Sequence, residues 1–121
     1  MADVAITKAE GKIKVTAGPN TPVEYPYTDL AAGDNAVIDC DFKDEFTQIH
    51  FLGGSAKSTV TIKFGNGYAG VQDEVFELGA SKYMALTLDS ATFKNVSGTY
   101  KGKVVISPSA ACKIAVVEAR V

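Results

Sequence analysis

The sequence predicts an all-β protein, a single antiparallel β-sandwich (jelly-roll or Ig-like) of about 8–9 short strands with an extended N-terminal segment. Three observations lead there. Apolar residues recur with period two in run after run, glycine, serine and asparagine clusters punctuate the runs about every 8–12 residues, and the helix candidates are single turns. At 121 residues one core is expected, large enough to hold without metal or disulfide staples.

Taken in order, Val4 to Lys8 suggests a weak first strand, and Lys12 to Thr16 a second carrying Ile13 and Val15. The stretch 17–27 holds Pro19, Pro22 and Pro26, which favour an extended arm over a helix or central strand. Single helical turns are expected at Tyr27 to Ala32 and at Asp41 to Phe46. Strands follow at Asn35 to Cys40 and Thr47 to Leu52, and then at Thr59 to Phe64, where Val60, Ile62 and Phe64 share the inward face. Gly53-Gly54-Ser55-Ala56-Lys57 suits a hairpin loop, and Gly65-Asn66-Gly67 supplies easy positive φ. Further strands are expected at Glu74 to Leu78, Lys82 to Leu88, Lys103 to Ser107 and Cys112 to Glu118. This divides one domain into an N-terminal segment with its proline arm (1–32) and a sandwich core (33–121).

Lys plus Arg number 12 against 14 Asp plus Glu, a net charge of −2. Without a basic stripe there is no electrostatic reason to expect nucleic acid or an anionic membrane as partner. No apolar run approaches the roughly 20 residues that span a bilayer. The start, Met1 to Lys8, lacks a basic stretch followed by an apolar one, so no signal peptide and a cytoplasmic synthesis are expected. Cys40 and Cys112 each sit in an apolar run, where a free thiol behaves as a small hydrophobe; a bridge between them is the lesser alternative.

Three segments invite a chemical reading. Gly65-Asn66-Gly67-Tyr68-Ala69-Gly70 matches G-x-G-x-x-G with Asp89 about 20 residues on, but a phosphate cradle needs a helix at the third glycine. Instead Val71-Gln72-Asp73-Glu74 follows, acidic where phosphate would lie, so a plain loop is expected and no cofactor. Asp39, Asp41 and Asp44 suggest calcium. An EF-hand loop from Asp39 would want an oxygen ligand at Lys43, glycine at Asp44 and glutamate at His50; all three fail, leaving a solvated turn. His50, the single histidine, lies out of phase with Ile49 and Phe51, hence on the solvent face, with no triad partners and no paired zinc spacing. No catalytic and no metal site is expected, and the chain is read as non-enzymatic. Asn95-Val96-Ser97 is taken as a turn, not a glycosylation acceptor.

Tyr25, Tyr27, Tyr68 and Tyr100 fall in or beside loops, and tyrosine is favoured at protein interfaces for its apolar ring and polar tip. Folding over the core edge is the alternative for any one of them. With Pro19, Pro22, Pro26 and Asn66 they form the expected partner-contact set.

From Gly33-Asp34-Asn35 onward the chain resembles the small β-sandwich proteins of tailed-bacteriophage heads, the decoration (head-stabilising) proteins and related minor virion proteins. The resemblance is carried by Ser58-Thr59-Val60-Thr61-Ile62-Lys63, the loop Gly65-Asn66-Gly67, Leu86-Thr87-Leu88-Asp89-Ser90 with Phe93-Lys94, and the pair Gly102 to Ile106 and Lys113 to Glu118. It is one of arrangement, without an invariant motif, and residues 1–32 carry none of it. It implies a protein on the capsid surface of the virion, bound to the major capsid protein lattice, with a second copy of the chain as a further candidate partner. The other expectation for such a sandwich is a carbohydrate-binding or adhesion module, which would want a flat aromatic platform, yet tryptophan is absent.

Overall fold

A computed structural model describes residues 2–10, 26–66 and 72–118. Ten strands appear among them: β1 (Asp3–Ile6), β2 (Ala9–Glu10), β3 (Thr28–Leu30), β4 (Asn35–Asp39), β5 (Thr47–Gly53), β6 (Ser58–Ile62), β7 (Glu74–Leu78), β8 (Tyr83–Leu86), β9 (Lys103–Pro108) and β10 (Cys112–Glu118). A 3₁₀ turn, Asp44–Phe46, and one helical turn, α1 (Ser90–Phe93), are the other regular elements. The all-β expectation is met, as two sheets facing each other. The first runs β1-β4-β9-β6-β7 and the second β2-β10-β5-β8, with β3 also on β10.

The period-two pattern explains which side of each strand is buried. In β5, Thr47, Ile49 and Phe51 point inward, and in β6 Ser58, Val60 and Ile62 do. Ala36 and Ile38 of β4 meet Ile106 and Val104 of β9 in register, all within 1% exposure. The sheets join across this layer, where the Phe51 and Phe76 rings meet edge-to-face at 5.3 Å. Ser58 is one of the polar side chains buried there, its hydroxyl satisfied by the backbone of Ala110.

Three expectations need correction. Tyr27 to Ala32 forms no helical turn: Thr28, Asp29 and Leu30 pair antiparallel with Ile114, Lys113 and Cys112. The open side of β10 takes up their backbone groups, and Leu30 gains a core position at 2% exposure. Phe64 does not join the inward face of its strand. β6 stops at Ile62, and the chain leaves the sheet as the Phe64 and Gly65 amides donate to Asp73 Oδ1 and the Thr92 carbonyl. Nor is pairing wholly antiparallel, because β1 runs parallel to β4 and β2 parallel to β10. The strand expected at 12–16 lies outside the described residues. β1, β2 and β3 belong to the stretch 1–32, and each hydrogen-bonds to a strand of 33–121.

Candidate functional site

At the end of β6 the chain meets the segment after α1, and short backbone contacts hold the two together. Leu88 and Phe93 bury their side chains in the core, which anchors this segment. The Gly65 N–H donates to the Thr92 carbonyl at 3.0 Å. A side chain at Gly65 would lie 2.3 Å from the Lys94 carbonyl oxygen, so this crossing requires glycine. Asn66 then closes the junction: its Oδ1 accepts the Val96 N–H at 2.7 Å, and its Nδ2 donates to the Ser97 carbonyl at 3.0 Å. Behind it, the Asn95 carbonyl accepts the Gly102 N–H at 2.7 Å. Two apolar side chains project from this tied pair of loops, Phe64 at 45% exposure and Val96 at 53%. The tied loops thus carry two exposed apolar side chains on polar supports, called the apolar tip.

Asn66 therefore belongs to the site as the group that positions Val96 rather than as an open polar contact. Tyr100 is half-buried, and its hydroxyl donates to the Asp3 carboxylate, 3.0 and 3.1 Å from the two oxygens. That bond holds its pKa above the ordinary phenol value. It also ties the loop after α1 to β1. Pro26 is exposed and Tyr27 half-buried, leading into β3 on the other sheet. Asn66 and Tyr100 thus meet on one loop, 95–101, while Pro26 and Tyr27 lead into a strand of the other sheet. Pro19, Pro22, Tyr25 and Tyr68 lie outside the described residues.

Each segment with a chemical reading has a definite place. After the glycine run the chain forms strand β7, so residues 74–78 offer no helix N-terminus to a phosphate. In the acidic turn, Asp39 pairs with Lys103 at 2.9 Å and Asp41 with Lys8 at 3.5 Å. Among the described residues no three His, Cys, Asp or Glu side chains gather as a metal would need. His50 lies on the outer face of β5 between Ala85 and Ala115, half-buried, and loss of solvent lowers its pKa. Both thiols are free, and burial pushes each up to about 11, which leaves them protonated and poorly nucleophilic at neutral pH.

Sequence reasoning missed the tip, because Phe64 continues the alternation of β6 and nothing local announces its exit. It also missed Glu118, a carboxylate at 2% exposure. Glu118 accepts from Lys8 Nζ at 2.9 Å and from the Lys43 N–H at 2.7 Å, and so joins β10, the β1–β2 connection and the acidic turn. The signal was present: Glu118 shares parity with Cys112, Ile114 and Val116, an inward position where a charge needs a partner.

A scan against protein-family models matches no family, and searches of curated proteins and of solved structures return no match.

Proposed function

We propose that the protein is a non-enzymatic virion structural component of jelly-roll or Ig-like build, which binds the outer surface of a tailed-phage capsid and stabilises it. The observation that carries the reading is the apolar tip. Phe64 and Val96 are held in place before any partner arrives, so docking costs little ordering entropy, and their exposed area is what a shell subunit would cover. The resemblance over residues 33–121 supplies the class of partner. Binding to the assembled lattice and not to free subunits makes the shell harder to take apart, by mass action. The arm prolines, Tyr25, Tyr27 and Tyr68 remain proposed auxiliary contacts.

Co-sedimentation with expanded, protein-free capsids tests this. Wild-type chain is expected in the pellet, and Phe64→Ser with Val96→Ser should reduce retention roughly tenfold while the circular dichroism spectrum is unchanged. Absence of retention on every expanded shell tried would sink the proposal.

A further inference from the structure

β7 and β8, an edge strand from each sheet, differ in one respect that matters for association. β7 exposes Glu74 and Glu77, charges of the kind that keep sheet edges from pairing. β8 reads Tyr-Met-Ala-Leu, with no charge and no proline. Tyr83 is 73% exposed and Met84 40%, and Ala85 is exposed as well. Among the described residues β5 alone pairs with it.

The backbone decides which groups of β8 face outward. The Gly53 N–H donates to the Lys82 carbonyl at 2.9 Å, and the ladder continues through Phe51 with Met84 and Ile49 with Leu86. By the alternation of an antiparallel pair, Lys82, Met84 and Leu86 turn their peptide groups toward β5. Tyr83 and Ala85 turn theirs away from the sheet.

We infer that β8 pairs with β8 of a second copy, antiparallel, about a two-fold axis at Ala85. A ladder closes only where outward residues oppose outward residues, and this register satisfies that condition. Ala85 faces Ala85, Tyr83 faces Thr87, and Met84 faces Leu86. The smallest side chain lies on the axis, and the apolar pairs flank it at the closer, non-hydrogen-bonded positions.

Charge selects the same occupant. In this register Lys82 of one copy falls opposite Leu88 of the other. Leu88 lines a shallow hollow of about 570 Å³ together with Asp44, Thr87 and Asp89. Lys82 precedes β8, and beyond its other end Asp44 and Asp89 already hold other partners, Asp89 the Thr92 hydroxyl at 3.0 Å; an isologous pair adds the second copy's ammonium to them twice. The inference stands on a different strand from the apolar tip and does not depend on capsid binding.

Sedimentation equilibrium of the full chain, without capsids, is the test. A monomer–dimer equilibrium is expected, with a dissociation constant on the order of micromolar for so small an interface. Ala85→Pro removes an N–H that points away from β5, so the intrachain ladder is kept while dissociation becomes about tenfold or more easier. Lys82→Glu, in an exposed turn, should weaken the dimer similarly, and adding Asp44→Lys should restore it. Should Ala85→Pro fail to fold, the Lys82→Glu pair of variants decides alone. A chain that stays monomeric to about 1 mM, or a dimer indifferent to these substitutions, overturns the inference. A monomer whose β8 binds some other protein overturns it equally.

Discussion

Glu118 and His50 show how single side chains at strand positions take their properties from the face they occupy. Glu118 points inward and survives burial because the Lys8 ammonium and the Lys43 amide meet it. Glu118→Ala should take the Lys43 N–H acceptor away and leave Lys8, 18% exposed, to Asp41 alone, lowering stability by about 2 kcal/mol as measured by urea denaturation. A loss under about 0.5 kcal/mol would mean that the ion pair is dispensable. His50 points outward yet is half-buried, and its folded-state pKa lies below the ordinary 6.5. The unfolded chain therefore takes up a proton first as pH falls. The contribution is fully present above 6.5 and is lost as pH drops from 6.5 through the lower folded value. Wild-type melting temperature should decline in that window, and His50→Gln should flatten the decline; identical curves would refute the assignment. His50's face was legible from Ile49 and Phe51 beside it. Its burial was not, because Ala115, fully buried opposite it, belongs to a strand 65 positions on.

At the level of elements, the strands with clean alternation were readable to within a residue or two: β4, β5, β7, β9 and β10 fall where valine, isoleucine and phenylalanine repeat. The missed elements, β2 and β3, have two and three residues and exist because β10 offers them an open side. No local pattern encodes such a debt to a distant partner. The same dependence holds the β7–β8 turn in place. A side chain at Gly53 would lie 2.1 Å from the Gly79 carbonyl oxygen and 3.1 Å from the Ser81 nitrogen, both rigid backbone. Gly53→Ala should push that turn away, break the bond from the Gly53 amide to Lys82, and cost about 2–3 kcal/mol. Hydrogen exchange would report it, with faster exchange concentrated in β8; uniform protection would show that the turn adjusts without loss. The apolar tip belongs to this scale too, since Phe64 leaves the line of β6 where Asp73 takes its amide and the Thr92 carbonyl takes that of Gly65.

Across the whole molecule the division into an N-terminal segment and a 33–121 core describes the sequence better than it describes the packing. β1 lies along β4 with Ile6 beside Ile38, and β3 covers the start of β10 with Leu30. A fragment of residues 33–121 loses both covers, and its circular dichroism melt should be broad and start well below that of the full chain. A fragment that melts cooperatively at the full-chain temperature would show that 1–32 is an appendage. The Lys8–Glu118 clasp has a temporal consequence. The two residues stand 110 positions apart, so during synthesis the N-terminal partner emerges early and waits. Until residue 118 clears the ribosome, β10 is incomplete, and β2 and β3 have no full-length strand to pair with. The β10 pairings of the second sheet therefore close late, after the pairs β5–β8 and β6–β7 are free to form.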